Sequence, residues 1–473
     1  MKIVKYIFAI ILTYLCFFAS DLNNIIYFTY HSECNNTLKR NKYLLLDDRI
    51  TEIKLNAKLE VGKVKKYAGN PLFVEDKPWE KRFDNLYGNV IYDEEEGIYK
   101  CWYSPFIIDY SSKGMTLEER EAKTYIKPPN REMAICYAIS KDGITWQKPV
   151  LGLVGYEGST ANNIIWRGPH GAGIFKDAYE TNPLKLYKAI FRGLFVSFSK
   201  DGLKWGDAIP VKDVKVKGDT HNNAFWAPTI EKYVGITRTW GSRGREVARI
   251  ESSDFIKWTK EKVILKGKNR TLQTYSMPVF FYGGVYLGLV SIYNKKNGRV
   301  WTELAWSPDT IKWERVDEGA PLIPNSKIKL SYDYGCVYAC ANPIILKDEI
   351  RLYYSGSDWL HSSWRNGSFN LATLRPDGFA GYVQKSSGRP AIVVTAPIQY
   401  NGKDIFINAD IKKGGFIQID LFDNNGNILF TKKILKTMIN ENIHCSKKIK
   451  IDTVQIRFKF INAKIYSFWF SKN

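Results

Sequence analysis

Three aspartates stand where carboxylate chemistry could be gathered. Asp84 precedes NLYGNV, Asp219 precedes THNNAFW and Asp333 precedes YGCVYA, each just ahead of an aromatic-rich apolar run. Carboxyl groups sharing one cavity push their proton affinities apart, so one can hold a proton to donate while another stays ionised. That division of labour is what general acid and base roles need, so Asp84, Asp219 and Asp333 are the expected catalytic set. A fourth position of the same kind carries Gln273, ahead of TYSMPVF.

The residues around them suit a sugar. Arg131, Arg192, Trp240, Arg245 and His361 fall in loops expected on the same side, with Arg243 and Trp359 beside them. Asn85 and His221 adjoin the aspartates, Tyr275 follows Gln273, and Trp79 in DKPWE precedes the first aspartate. Rings stack on the apolar face of a pyranose or furanose, and charged groups bond its hydroxyls. Trp79, Asn85, Arg131, Arg192, His221, Trp240, Arg245, Tyr275 and His361 are therefore the expected substrate-binding residues. Neither histidine has zinc-ligand spacing, so no metal or cofactor is expected, and nothing in the sequence supports a Ca²⁺ ion on the axis. There is no glycine-rich phosphate loop and no G-x-S-x-G elbow.

What brings distant aspartates together is a repeat. SKDGITW at Ser140–Trp146 returns as SKDGLKW at Ser199–Trp205, then as SSDFIKW ending at Trp258 and SPDTIKW ending at Trp313. The tryptophans are spaced by 59, 53 and 55 residues. RPDGFAGY at Arg375–Tyr382 is a degraded fifth copy. Each period divides into four short runs of aromatic and β-branched residues punctuated by Gly, Asp or Pro, which predicts four-stranded units in series. Helical periodicity is almost absent apart from a turn near LEEREAK.

Five such units predict an all-β fold, a five-bladed β-propeller over 45–387, followed by a β-sandwich over 388–473 with a hairpin turn at DNNGN. In an up-and-down unit the S-x-D-G-x-x-W turn joins strands three and four, on the face opposite the starts of strand one. The motif is therefore read as architecture, with the aspartates at the other face. Asp93, Asp177 and Asp348 fall on the motif face and are read as turn formers, Asp177 being the most doubtful of them.

The 473 residues carry a formal charge of +21. The lysines are spread along the chain without a compact basic block or a fingerprint motif, so nucleic acid is not expected as a partner. MKIVKYIFAIILTYLCFFAS reads as a signal peptide or uncleaved signal anchor over 1–20, with a linker over 21–44, implying a secreted or extracytoplasmic protein. Any membrane attachment would run through that segment alone. Of seven cysteines, Cys336 and Cys340 are too far apart in an extended run to bridge, and Cys101 and Cys136 are read as buried thiols.

Several segments resemble the five-bladed propeller glycosidases, the superfamily containing families 32, 43, 62, 68 and 130, and most of all a family-32-like group of secreted bacterial proteins. They are LLLDDRITE, NPLFVEDKPWE, VIYDEEEGIYKCWY, the SKDGITW turns, HNNAFWAPTIEKYVGITR, ESSDFIKW and LATLRPDGFAGY. The resemblance implies that Asp84 is base or nucleophile. It implies an acid on the third blade, where Asp219 stands in place of a glutamate, with Glu246 and Glu251 as the other candidates. The second blade offers no strand-start carboxylate, a departure from that pattern. The implied function is a glycoside hydrolase acting on a poly- or oligosaccharide. The alternative is a carbohydrate-binding propeller without turnover, and a sialidase-like enzyme would need Arg131, Arg192 and Arg245 to form a triad.

Overall fold

The computed structural model describes residues 42–400, 404–444 and 451–471, so the leader expected at 1–20 and most of the linker lie outside the described residues. The described chain is nearly all β, with one short α-helix, Leu117–Ala122, capped reciprocally by Thr116 and Glu119. No helix among the described residues is long and apolar enough to cross a membrane.

The repeat units form where the aromatic runs place them. The first is built on Asn89–Asp93, Ile98–Tyr103 and Glu132–Ser140, the second on Gly173–Lys176, Tyr187–Phe191 and Phe195–Ser199, and the third on Asn223–Ala227, Lys232–Gly241 and Gly244–Ser252. Val279–Tyr282, Val285–Asn294 and Arg299–Ser307 make the fourth, and Cys336–Ala339, Ile350–Ser357 and Gly367–Leu374 the fifth. Within each unit the strands pair antiparallel in sequence order. The fourth and fifth units merge into one sheet through a parallel bridge at Val300 and Cys336. The cysteines at 101, 136, 336 and 340 are buried free thiols.

First strands of successive units lie side by side. Asn89 donates to the Ala172 carbonyl at 2.9 Å and accepts from the Ile174 N–H at 3.0 Å, while Asn223 accepts from the Val279 N–H at 2.9 Å. Asn89 also bridges to Ala341 of the fifth unit, so the last first-strand borders the earliest one. Asp93 and Asp177 accept from turn N–H groups, of Glu95 at 3.2 Å and Tyr179 at 3.0 Å, and also tie units together. Asp93 binds Lys100 of its own unit at 2.8 Å and the Tyr187 hydroxyl of the next at 3.2 Å. Asp177 repeats this with Lys188 at 2.8 Å and the Tyr233 hydroxyl at 2.6 Å.

The S-x-D-G turns share one hydrogen-bond plan. Asp142, Asp201, Asp254 and Asp309 each accept from the two N–H groups that follow, at 2.7–2.9 Å. The position after each aspartate is left-handed, whether glycine (Gly143 φ +73, Gly202 φ +75) or not (Phe255 φ +63, Thr310 φ +69). Trp146 packs edge-on against Phe369 and Tyr353 of the fifth unit, and Trp205 stacks on Trp166.

Two expectations change. The fifth unit takes its outer strand from the N-terminal side, as Lys65–Lys66 and Phe73–Val74 pair with Gly367–Leu374. The FAGY segment instead joins the C-terminal sheet as Ala380–Gln384, paired with Ala57–Val61. That sheet is one hydrogen-bonded system of ten strands, including Tyr43–Leu44 and Thr51–Leu55, so a boundary at 387/388 does not follow the strands. Its spine is the pairing of Ile405–Phe422 with Thr453–Phe470, both 18 residues long, over a core including Ile407, Ile419 and Phe458. The DNNGN turn closes the hairpin expected there, with Asn427 N–H donating to Asp423 at 2.8 Å. In the degraded fifth motif, buried Asp377 accepts from Lys42, Tyr282, Asn408 and Ser467, pinning the C-terminal sheet to the fourth unit.

Gly202 tests the motif's structural role. A Cβ there would meet the Trp102 ring at 2.7 Å, whereas one on Gly97, equally left-handed, meets nothing within 4 Å. G97A is expected to cost about 1–2 kcal/mol in urea unfolding. G202A should add an overpacking cost of about 1–3 kcal/mol; equal costs would contradict the packing described.

Candidate functional site

Asp84 sits on a turn that ordinary sequence preferences oppose. Asp84, Leu86 and Tyr87 all have positive φ, at +54, +57 and +48. Such conformations cost energy in non-glycine residues and persist where surrounding contacts impose them. Glu75 braces the start of the turn: one carboxyl oxygen accepts from the Phe83 N–H at 2.9 Å and from the Gly367 N–H at 2.6 Å. The turn before the first unit is thereby stitched to a strand of the fifth.

Three guanidiniums surround the Asp84 carboxylate. Arg365 donates to it at 2.6 Å, Arg82 lies at 3.5 Å and Arg131 at 3.9 Å. Burial alone would raise its pKa, but Arg365, then Arg82 and Arg131, hold it well below the usual carboxylate range. Arg131 lies flat on the Phe106 ring and is fixed by Asp109 at 2.7 Å. Arg365 also donates to Asn85 at 3.1 Å, and Asn85 donates to the hydroxyls of Tyr87 at 2.7 Å and Tyr275 at 3.3 Å.

Asp219 stands at the other end of the same contact path. Arg238 lies over the Tyr275 ring and reaches Asp219 at 3.0 Å. His170 Nε2 is 3.1 Å from the carboxylate and Arg192 3.9 Å. The His170 ring beside it opposes burial and, with Arg238 and Arg192, holds this carboxyl far below its ordinary value as well. Asp219 therefore carries no proton at neutral pH, and the acid role expected of it is not supported by its surroundings. Glu246 is turned into backbone, accepting from Arg243 N–H at 3.1 Å, and Glu251 pairs with Lys232 and Arg249 at the opposite strand end.

Asp333 joins a different cluster. Its buried carboxylate binds Lys66 at 2.5 Å and the Tyr354 hydroxyl at 2.9 Å, and it shares no partner with Asp84 or Asp219. Trp79 is likewise withdrawn: its indole donates to Asn163 at 2.8 Å and its ring meets Tyr156 in the core of the first unit. His221 is buried 3.1 Å from Asn89 and belongs to the tie between units; burial pushes its pKa down to about 3. His361 packs on Tyr275 and Tyr293 with Nδ1 2.9 Å from the Tyr338 hydroxyl; burial, then Arg365, push its pKa well below the ordinary value. Arg245 lies between Trp240 and Tyr275 and donates to Gln273 at 2.9 Å; Trp240 itself is 61% exposed, at the rim. Arg131, Arg192 and Arg245 attach to Asp84, Asp219 and Gln273 respectively, so they form no triad.

Arg82, Arg238, Arg365, His170, Tyr87 and Glu75 were not singled out from the sequence. Arg82 could have been, standing two residues before Asp84. Arg365 and His170 come from irregular loops whose direction no periodicity reports. Among the described residues, no group of three or more His, Cys, Asp or Glu side chains is placed to hold a metal ion.

No protein-family model matches the chain, and no curated protein matches it. Solved structures do. β-1,2-Mannobiose phosphorylase from Listeria innocua, in complex with β-1,2-mannobiose, is 16% identical, with 66% of this chain and 96% of that chain covered and a TM-score of 0.47. A glycosyl hydrolase from Bacteroides ovatus is 15% identical, covering 67% and 94%, with a TM-score of 0.42. A third, from work on GH130 mannoside phosphorylases and glycoside hydrolases that target β-1,2 mannosidic linkages in Candida mannan, is 16% identical, covering 67% and 94%, with a TM-score of 0.45.

Glu75 gives the site a pH signature. Burial pushes its pKa up to about 7 from 4.5, although the residue as a whole is only partly buried. The folded state then holds a proton that the unfolded chain releases, so this contribution to stability is full below about pH 4.5 and lost as pH rises through 7. Glu75→Gln keeps the acceptor oxygen, so thermal melting should lose that part of its pH dependence between pH 5 and about 8. An unchanged profile would show that Glu75 does not titrate there.

Proposed function

We propose that the five units form a five-bladed propeller of the glycosidase kind, the family-32-like resemblance included, and that its mouth binds and cleaves a glycan. The ring-wise neighbouring of first strands, back to Ala341, supports the shape. One observation carries the activity: Asp84 is held ionised and immobile by Arg365, Arg82 and Arg131 on a strained turn, beside Tyr275 and Asn85. A fixed, ionised carboxylate of this kind is fitted to act as nucleophile or to stabilise positive charge at an anomeric centre, and is too weakly basic to be a good general base. Trp240, exposed at the rim, supplies a ring face for the sugar, with Arg245 beside it as a donor. In this reading Asp219 accepts sugar hydroxyls and Asp333 is a structural ion-pair partner.

The proposal extends to a secreted or extracytoplasmic protein with carbohydrate as its partner. A second reading, a carbohydrate-binding propeller without turnover, is favoured by one finding. Both carboxylates that share the contact path are ionised, so neither supplies the proton a leaving group needs.

Asp84→Asn decides between them. On a panel of oligosaccharides, turnover should fall by about 10²–10⁴-fold while binding persists. The variant should also melt at lower temperature, because the buried Arg365 loses its anion, so assays belong at a temperature where it remains folded. Asp333→Asn should lower the melting temperature while leaving turnover within about twofold. Wild-type protein that binds glycans without releasing sugar would establish the second reading.

A further inference from the structure

The positive charge at the mouth exceeds what its own carboxylates neutralise. Six arginines line the contact path: Arg82, Arg131 and Arg365 around Asp84, Arg192 and Arg238 around Asp219, and Arg245 on Tyr275. Among the described residues, the carboxylates within ion-pair distance of any of them are Asp84, Asp109 and Asp219. Guanidinium nitrogens are left over as well. Arg238, only 5% exposed, has one terminal nitrogen without an acceptor, and so has Arg82, at 2% exposed. Arg245 Nε is in the same condition. Buried donors without acceptors are rare and costly, the more so when charged.

A cavity of about 330 Å³ opens beside Asp219, between the first and second units. Trp166, Phe191 and Phe195 line it with aromatic surface, and His170 and Arg192 form its wall towards the carboxylate. Its Arg167 is already matched, bound by both oxygens of Glu132 at 2.8 and 2.5 Å. Arg192 is not: its side chain is 53% exposed and its only ion-pair contact among the described residues is the 3.9 Å approach to Asp219.

Taking the glycan reading above as given, we propose that the substrate is an acidic glycan. Its anionic substituent, a uronate carboxylate or a sulfate ester, is held by Arg192 on the cavity wall, with the sugar that bears it against Trp166, Phe191 and Phe195. A neutral sugar would displace water from this guanidinium without supplying compensating charge. Charge-assisted bonds to an oxyanion are roughly twice as strong as neutral ones and suit the planar fork of arginine. The overall charge of +21, which marks no nucleic-acid motif, would speed the approach of such a polyanion.

The test is calorimetric binding with full-length protein. The probes are oligogalacturonates, the same oligosaccharides after carboxyl reduction, chondroitin sulfate oligosaccharides, neutral mannan oligosaccharides and inorganic phosphate. One acidic series should bind at least about tenfold tighter than its neutral counterpart, with affinity falling as salt rises; which series does so separates carboxylate from sulfate. Arg192→Ala should weaken that binding about tenfold or more with an unchanged melting temperature, and Arg192→Lys should restore part of it. Equal affinity for acidic and neutral sugars, no binding to any probe, phosphate binding alone, or unaltered binding by Arg192→Ala would each overturn the proposal. Asp84-dependent turnover of a neutral glycan would overturn it while sparing the hydrolase reading. Acidic-glycan binding without any turnover would uphold it and remove hydrolysis.

Discussion

The pairing of Asp84 with Arg365 is the constraint on which the candidate site depends. The aspartate comes from the segment leading into the first unit and the arginine from the fifth, so their 2.6 Å contact spans the junction where the two ends of the repeat array meet. Withdrawn from water, each charge would be costly alone, and together they fix each other's position and ionisation. Glu75 reinforces the same seam by holding the N–H groups of Phe83 and Gly367. The candidate site and the junction between the first and fifth units thus share one set of contacts, which brace the strained turn there.

The rest of the array repeats simpler ties. Asp93 and Asp177 each reach a lysine of their own unit and a tyrosine hydroxyl of the next, with Lys100 on Asp93, then its other contacts, holding that carboxyl down to about 2 against the opposing effect of burial. Asn89 and Asn223 do similar work with backbone partners at the opposite strand ends. These ties stiffen the frame on both sides of the mouth. The mouth itself departs from the plan, being lined with arginines that the repeat does not generate.

That departure also marks where sequence reading succeeds and where it stops. Runs such as IYKCWY and VYLGLVSIYN show their strand character directly, and the S-x-D-G turns announce their hydrogen bonds because each is made within seven residues. Asp84 and Asp219, which alignment of strand starts picks out, are joined by one contact path through Asn85, Tyr275 and Arg238. The same alignment misplaced Asp333, because strand register says nothing of Lys66 arriving from the N-terminal side to claim its carboxylate. Trp79 and His221 were misread for a related reason: their partners, Asn163 and Asn89, are distant in sequence. At Asp219, His170 and Arg238 reach the carboxylate from separate loops and strands, surroundings that weigh against the acid role expected there.

The account rests on Asp84 being an ionised carboxylate clamped by arginine. The most direct measurement is a carboxyl-carbon NMR titration of protein labelled at aspartate, with Asp84 assigned by comparison with an Asp84→Asn sample. The Asp84 signal should stay in its ionised position down to the lowest pH at which the protein remains folded. A midpoint at or above the ordinary aspartate value of about 3.9 would contradict the clamp, and with it the role assigned to this carboxylate.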